Sequence, residues 1–315
     1  MTGEMPFGFA IQEPALAIAP VFLVLQKMAR AKLDVTRKFG NSSLQWRGPD
    51  ALGIPEQSVL LALLSIAGQQ AFALDPNTIV GPRAKLLKQL SCEGPKSELT
   101  VLIAPWRKIE IASGYRSHGG NNITNIKMAV KRLAETTVWE CHEGIEYESR
   151  LLSWIRGNDN GVIIALNRRA TDAIYGKQFI KISLDERNIL PDEPAKALHA
   201  YLSGYMRAGS SRRIQISSLQ PHIWSGAVTG STYRSRNEKL RAALLAIDLL
   251  PAWRCILLPG GQVGIRRINQ DTVESKPEVI RRIQGPVEER GSTLMGTEQS
   301  TITCRLRPVT EKHHS

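Results

Sequence analysis

One stretch of the chain, residues 214–267, has the clearest pattern of hydrophobic and polar positions. Its middle part predicts an amphipathic helix that ends before Pro251, because three apolar residues recur at the spacing of one helix face: Leu240, Leu244 and Ile247. Two short apolar runs, 254–258 and 263–265, then flank a Pro-Gly-Gly-Gln turn and predict a β-hairpin. With the polar–apolar run that opens the stretch, the expected order is helix, turn, helix and hairpin, which is a winged helix.

The predicted helix is basic near its N-terminus, where positive charge opposes the helix dipole. Its basic residues are Arg234, Arg236, Lys239 and Arg241. Arg234 and Arg241 lie opposite the buried stripe, and Ser231 or Thr232 is expected to cap the helix. A phosphate backbone favours such charges, since each neutralised phosphate releases condensed counterions. The alternative is a solvated basic face without a ligand.

An earlier stretch, residues 121–166, repeats this order. Asn121 or Asn122 is expected to cap a helix whose buried stripe is Ile126, Val130 and Leu133. A Gly/Asn-rich turn then separates two apolar runs, which predicts a second hairpin. Apolar helices beginning at Pro55 and Pro194 precede the two basic helices, so the plan recurs after about 135 residues. The sequence therefore predicts an α+β, mainly α fold of two tandem winged-helix domains.

The domain organisation follows from these patterns and from composition. We expect a flexible N-terminal tail at residues 1–20, a first winged-helix domain at 21–180 and a second at 181–268. Residues 269–315 are rich in charged and small polar residues and poor in large apolar ones, so they are expected to be mostly disordered.

Charge and cysteine usage narrow the class of partner. The 315-residue chain has a net charge of +12, which favours a polyanionic partner. Its four cysteines form no C-x-x-C pair, so no metal site is expected, and their isolation fits a reducing compartment. The apolar run at 15–25 is too short to span a bilayer and lacks a basic flank. We expect a cytoplasmic protein with no membrane association.

The sequence carries no recognisable catalytic motif. No P-loop occurs, and the only adjacent histidines lie in the C-terminal tail. Tyr201 and Tyr205 are one helical turn apart, as paired nucleophilic tyrosines of nicking enzymes can be, but they also fit the apolar face of their helix. The prediction is core packing for both rings, no enzyme activity, no catalytic residue and no cofactor.

Several short runs occur in the order in which one known family has them, over about residues 15–267. The runs are Lys32-Leu33-Asp34-Val35-Thr36, Gly48-Pro49 with Leu52-Gly53, Gly114-Tyr115-Arg116, Arg150-Leu151-Leu152-Ser153, Ala165-Leu166-Asn167, Ile182-Ser183-Leu184-Asp185-Glu186, Leu198-His199 with Leu202-Ser203-Gly204, and Gly230-Ser231-Thr232 with Arg234 and Arg236. In these runs the chain resembles the RepC-type replication initiators of IncQ-like plasmids.

This resemblance implies a plasmid-encoded initiator with tandem winged helices. Such a protein binds directly repeated iterons at the plasmid origin as double-stranded DNA, and local opening of an AT-rich segment follows. A plasmid helicase and primase then act on the opened DNA, so they are the implied partners. The sequence leaves open whether a monomer or a homodimer is active.

The expected DNA contacts divide by role. Arg234 and Arg236 are the candidates for bidentate contacts to guanine. Phosphate contacts are expected from Arg212, Arg213, Ser231, Thr232, Lys239 and Arg241. Weaker contacts are expected from the first basic helix, through Asn122, Thr124, Asn125, Lys127 and Lys131. The hairpins are expected to touch the flanking backbone through Arg156, Arg266 and Arg267.

Two alternatives remain open. A winged-helix transcription regulator would share the fold, although regulators more often pair identical domains about a two-fold axis. A nicking DNA-processing enzyme would use Tyr201. The chain also departs from the family in two places, because the stretch after Gly114-Tyr115-Arg116 is shorter and because Tyr233 and Ser235 stand in a helix that is usually more uniformly basic. The second departure indicates a different iteron sequence.

Overall fold

A computed structural model describes residues 8–25, 30–70, 72–74, 99–115, 119–156 and 161–269. The described residues all belong to one compact unit, Met1–Thr272. The predicted disorder of residues 270–315 falls outside the described residues, as do the turn at 157–160 and the start of the chain.

Helices and strands alternate along the N-terminal two thirds of this unit. In chain order they are β1 (Phe9–Gln12), α1 (Pro14–Ile18), β2 (Leu33–Phe39), β3 (Ser42–Gly48), α2 (Ile54–Gln70), β4 (Phe72–Leu74), β5 (Leu99–Pro105), α3 (Trp106–Ala112), α4 (Gly120–Glu135), β6 (Thr137–His142), β7 (Ile145–Arg150), β8 (Leu152–Arg156), β9 (Gly161–Leu166) and α5 (Arg168–Ile174).

The C-terminal third begins with a short strand and is richer in helix. Its elements are β10 (Ile180–Ser183), α6 (Leu184–Ile189), α7 (Glu193–Tyr205), β11 (Ser211–Gln215), a 3₁₀ turn (Ile216–Leu219), α8 (Gln220–Ile223), α9 (Gly230–Asp248), β12 (Trp253–Leu258) and β13 (Gln262–Arg267). A turn at Pro259–Gly261 joins the last two strands, and Gly260 and Gly261 both have positive φ there.

The strands form antiparallel sheets whose order mixes near and distant parts of the chain. The described sheets have the orders β2-β3-β6-β7, β4-β5-β9-β8, β11-β13-β12 and β1-β10. The β1–β10 pair joins residues that are far apart in sequence, with Ala10 opposite Ile182. These sheets make the fold a mixed α/β one with more strand than the mainly α prediction allowed.

Buried apolar side chains fall into two clusters. The larger one surrounds α2, where Leu61, Leu63 and Ile66 are fully buried in a stretch, residues 59–67, that is apolar at eight of nine positions. The smaller one is built from α7, α8, α9 and the last hairpin, with Leu198, Leu240 and Ile265 at 0–1% exposure. Cluster membership changes near Leu190, but the predicted division into domains at 180/181 stays a prediction.

The first residues of the described chain are part of the core, and the predicted flexible tail at residues 1–20 is wrong for residues 8–20. Ala10 is fully buried, Leu16 is 4% exposed, and β1 and α1 pack on the larger cluster. Polar side chains obscured this in the sequence, because Gln12 and Glu13 are also buried and Glu13 pairs with Arg169.

A buried carboxylate on α6, that of Glu186, joins other parts of the C-terminal third. Glu186 Oε2 accepts hydrogen bonds from His199 Nε2 (3.2 Å) and Trp253 Nε1 (3.1 Å). Its Oε1 accepts from the backbone N–H of Ala252 at 3.0 Å. The three donors come from α7 and from the start of β12, so this one side chain fixes where the last hairpin begins.

The predicted core helices, basic helices and hairpins are present in the predicted order, while the two tandem winged helices stay a prediction. α2, α4 and β8–β9 stand in that order, and α7, α9 and β12–β13 follow in the same order. The first copy differs by an additional hairpin, β6–β7, which follows α4 directly and extends the β2–β3 sheet.

Candidate nucleic-acid interface

The orientation of α9 is set by its buried stripe and by the helix before it. Leu240, Leu244 and Ile247 are fully buried in the smaller cluster, as their spacing predicted. On α8, Gln220 Nε2 donates to Asn237 Oδ1 of α9 at 2.9 Å. Since one face of α9 is held in this way, the opposite face is fixed toward solvent.

The outward face of α9 carries polar and charged side chains in its first three turns. By helical spacing it comprises Ser231, Arg234, Ser235, Glu238 and Arg241, all exposed. In the described chain neither Arg234 nor Arg241 forms an ion pair with an acidic side chain. Glu238 was not among the predicted contacts, although its spacing from Arg234 and Arg241 puts it on the same face.

The N-terminus of α9 is left without a side-chain cap. Its N-cap is Thr229, which makes no capping hydrogen bond, and the helix starts at Gly230 with φ of 62°. The expectation that Ser231 or Thr232 caps the helix is therefore wrong, because both lie inside the first turn, where their side chains are exposed. Uncapped amides at a helix N-terminus are hydrogen-bond donors suited to a phosphate.

Arg236 does not belong to the outward face, which corrects its prediction as a base-contacting residue. It is 8% exposed, and its guanidinium donates to the carbonyl oxygens of Gly226 (2.9 Å) and Ser225 (3.1 Å). The same group lies 5.5 Å from the ring centroid of Trp224. Arg236 therefore holds the loop between α8 and α9, with both of its terminal nitrogens hydrogen-bonded within the protein.

Arginines also line the outer face of the three-stranded sheet. Arg213, Arg254 and Arg266 are exposed, and the register places Arg254 opposite Arg266 across β12 and β13. Arg213 lies opposite Gly264, two residues from Arg266, so all three side chains share the face away from the core. Arg254 was missed in the sequence, since the pairing of β12 with β13 is what brings it beside Arg266.

Arg212 and Arg267 are placed differently from their predicted roles. Arg212 alternates with Arg213 on β11 and therefore points to the opposite face, where its Cζ lies 4.8 Å from the ring centroid of Tyr205. Arg267 donates to the carbonyl oxygens of Ser203 (2.7 Å) and Met206 (2.8 Å). Its prediction as a backbone-contacting residue is thus wrong, because its guanidinium joins α7 to β13.

Side-chain hydrogen bonds fix the N-terminus of the first basic helix, α4. Asn122 Nδ2 donates to Glu110 Oε1 at 3.0 Å, and Arg107 Nη1 donates to Glu110 Oε2 at 2.7 Å. These hydrogen bonds, that from Asn122 above all, hold the pKa of the Glu110 carboxyl below its usual value. Asn122 therefore positions α4 within the protein, which removes it from the predicted DNA contacts, and the helix N-cap is Gly119 rather than an asparagine.

The other residues of α4 that were predicted to contact DNA are only partly free to do so. Thr124 and Asn125 are exposed, and Lys131 is exposed but lies 3.8 Å from Glu135. Lys127 is half-buried, with its Nζ 5.5 Å from the ring centroid of Trp106. Arg156, the last predicted residue of this part, ends β8, and its side chain lies outside what the structure describes. This surface is less basic than that of α9.

The two tyrosines of α7 differ in burial: Tyr201 packs against the smaller cluster, whereas Tyr205 is exposed, so the core-packing prediction is wrong for Tyr205. Their rings are stacked with centroids 5.4 Å apart, and Tyr205 is 37% exposed, while half-buried Tyr201 borders the smaller cluster. Burial raises the pKa of Tyr201 to about 12. Within the described chain, no group of three or more His, Cys, Asp or Glu side chains could hold a metal ion.

No helix in the described ranges combines the length and the apolar character needed to cross a membrane.

Comparison with known proteins gives one family and distant structural likenesses. The crystal structure of domains 2 and 3 of RctB has 13% identity and a TM-score of 0.48, over 83% of this chain and 98% of that one. A crystal structure of the Pi initiator protein in complex with iteron DNA has 10% identity and a TM-score of 0.46, over 69% of this chain and 92% of that one. No curated protein matches this chain.

The family model also matches most of the chain. The family model described as replication protein C (RepC) matches residues 7–267, which include β1 and every element through β13. The membership predicted from the ordered short runs is thereby confirmed. The chain belongs to the replication protein C (RepC) family, and it is a replication protein.

Proposed function

We propose that this protein initiates plasmid replication by binding directly repeated iterons as double-stranded DNA. The observation that carries the proposal is the outward face of α9. This exposed face presents Arg234 and Arg241, and the N-terminus of the helix has no side-chain cap. Membership of a replication-protein family gives this basic helix a context in which DNA is the natural polyanion.

In this proposal the C-terminal third acts as a winged helix. α8 and α9 form the helix-turn-helix, α9 enters the major groove, and β12–β13 is the wing. Arg234 is the base-reading residue, and Glu238 is suited to accept a hydrogen bond from the amino group of cytosine. Arg213, Arg254 and Arg266 on the outer face of the sheet, with Arg241 and Lys239, hold phosphates.

In this proposal the N-terminal part, residues 21–180, is the first winged-helix domain, and residues 181–268 are the second. α4 and the β8–β9 hairpin take the corresponding places. Because Asn122 and Lys127 are engaged within the protein, this domain contributes phosphate contacts from Thr124, Asn125 and Lys131 rather than base reading. Iteron binding then promotes local opening of the origin in the bacterial cytoplasm, and a plasmid helicase and primase act on the opened DNA.

The test is footprinting of the purified protein on the DNA that surrounds its own gene, at about 50 and 200 mM salt. Regular protection of tandem direct repeats at both salt concentrations is expected. A single palindromic footprint would instead identify a transcription regulator. Protection without pattern that disappears at the higher salt would leave only generic DNA affinity and would overturn the proposal.

Two variants make the footprint specific to α9. Arg234→Ala removes a charge from the outward face, and Arg47→Ala removes the same charge from β3, where Arg47 is exposed and 3.6 Å from Asp34. Only the first should erase the repeat pattern. Supercoiled DNA incubated with a divalent metal provides a further check, because nicking that disappears in Tyr201→Phe would support the DNA-processing alternative.

A further inference from the structure

A small open cleft of about 210 Å³ lies away from the outward face of α9. Four elements line it: α1 and β2 from the beginning of the chain, and α7 and α8 from the C-terminal third. Pockets that enclose drug-sized ligands are larger, about 300–1,000 Å³. The cleft therefore suits one small planar group that remains partly exposed.

The walls of the cleft are aromatic on more than one side. Tyr201 and Tyr205 line it from α7, His222 from α8 and Phe39 from β2. His222 stacks on Tyr201 with ring centroids 4.0 Å apart, and Tyr205 stacks on Tyr201 at 5.4 Å. Burial lowers the pKa of His222 to about 4, with Arg37 acting in the same direction, so this ring is neutral at pH 7. A planar group in the cleft would meet neutral rings from separate elements.

The rim of the cleft is positive. Arg37 and Lys38 line it and are exposed, and no acidic side chain is among the lining residues. Arg212 extends the stack, with its Cζ 4.8 Å from the centroid of Tyr205 and its Nη1 3.4 Å from the Tyr205 hydroxyl. No described acidic side chain forms an ion pair with any of these three cations. An anionic group attached to the planar one would thus find unpaired positive charge.

We propose that this cleft binds a nucleotide, with an unstacked base against Tyr205 and Phe39 and its phosphate against Arg37, Lys38 and Arg212. Aromatic rings beside cations are the usual composition of single-strand binding surfaces, because every base has a face on which a ring can stack. The nucleotide comes either from a single DNA strand or from free nucleotide in solution. The cleft shares no residue with the outward face of α9, so variants can test the two surfaces separately.

The experiment uses the full-length chain and two probes. One is a short single strand carrying one 2-aminopurine, whose fluorescence is quenched by stacking, and the other is adenosine 5′-monophosphate as competitor. Tyr205→Ala should weaken binding of the strand by about 5- to 150-fold, the range for loss of one base stack. Tyr205→Phe keeps the ring and should bind nearly as the wild type does. Tyr147→Ala removes a comparably exposed tyrosine from β7 and serves as the matched control.

Each outcome decides the proposal. Tyr205-dependent binding of the strand alone assigns the site to single-stranded DNA, whereas Tyr205-dependent displacement by the monophosphate assigns it to free nucleotide. Equal behaviour of Tyr205→Ala and Tyr147→Ala with both probes would overturn the proposal. Arg234→Ala should lose iteron binding while retaining the strand, so failure of the cleft and failure of the proposed function remain distinguishable. Far-ultraviolet circular dichroism confirms that each variant is folded.

Discussion

Arg236 on α9 and Gly226 in the preceding loop are joined by a hydrogen bond of 2.9 Å from the guanidinium to the carbonyl oxygen. Ser225 accepts a second bond from the same side chain, and the ring of Trp224 lies beside it. The helix proposed to read DNA is thus fastened to its own turn by an arginine. A positive residue near the N-terminus of such a helix can serve the fold rather than the ligand.

Replacement of Arg236 by alanine should therefore destabilise the protein. Two charge-assisted hydrogen bonds and the contact with Trp224 are lost, and hydrogen bonds to charged groups contribute about 1.5–3 kcal/mol each in favourable cases. We expect the free energy of unfolding in urea to fall by about 2 kcal/mol. Arg234→Ala is the control and should leave it unchanged. Unchanged stability of Arg236→Ala, combined with lost iteron affinity, would restore Arg236 as a DNA contact.

Arg234→Ala should affect DNA recognition instead of stability. If Arg234 makes a bidentate contact to guanine, its loss costs about 1–3 kcal/mol and relaxes the preference at one base pair. Arg234→Lys keeps the charge but not the planar fork, so it should lose most of the same preference. Binding competition among iterons with single base substitutions measures this. A uniform loss on all sequences, with a salt slope reduced by about one, would show that Arg234 holds only phosphate.

The positions of apolar residues in α9 and β13 indicate which arginines face inward. Arg236 precedes Leu240 and Leu244 at intervals of four, which extends the buried stripe by one turn. Arg267 follows Val263 and Ile265 at intervals of two, which puts it on the buried face of its strand. At both positions the periodicity decides the direction of the side chain, although its charge alone suggests exposure. Helical and strand periodicity therefore predict the elements well, and they also indicate which cations face inward.

Other features depend on contacts between distant parts of the chain. β1 pairs with β10, and Glu186 meets Trp253, across separations that no short pattern encodes. The cleft is of the same kind, since Phe39 and Tyr205 come together only when β2 and α7 are packed. Local periodicity carries no information on such contacts, because they follow from the tertiary arrangement.

The contribution of the N-terminal segment to stability can be tested directly. The sequence predicted a flexible tail there, but β1 and α1 pack on the core. Leu16 on α1 is 4% exposed, and Leu16→Ala should lower the free energy of unfolding by about 2–5 kcal/mol, through lost burial and the cavity left behind. Phe9→Ala is the matched control, because Phe9 is 46% exposed and contacts mainly Lys181. Its effect should be about 1 kcal/mol or less. Equal, negligible effects of both substitutions would mean that the segment contributes nothing to the folded core.

Stability should fall as the pH is lowered from 7 to 5, because His199 is buried as a neutral ring. Burial lowers its pKa below the usual value of 6.5, and this outweighs the hydrogen bond with Glu186, while the charges of Arg187 and Arg267 act in the direction of burial. In the unfolded chain His199 therefore becomes protonated near pH 6.5, whereas in the folded chain it becomes protonated only at a lower pH. The contribution of His199 is fully present above pH 6.5 and is lost below it, by at most about 1.4 kcal/mol per pH unit.

The carboxyl group of Glu186 adds a second loss at lower pH. Burial alone would raise its pKa, but the hydrogen bonds from His199, Ala252 and Trp253 together hold it below the usual value. Its contribution is therefore present above about pH 4.5 and is lost as the pH falls further. The variant His199→Gln distinguishes the contribution of His199 to the pH dependence from that of Glu186. Its amide can still donate a hydrogen bond to Glu186, but it does not titrate. Urea unfolding at pH 7, 6 and 5 should show a flatter pH dependence for this variant, in which His222, whose pKa is also lowered, retains a slope of the same sign. An identical pH dependence for the variant and the wild type would mean that folding does not lower the pKa of His199.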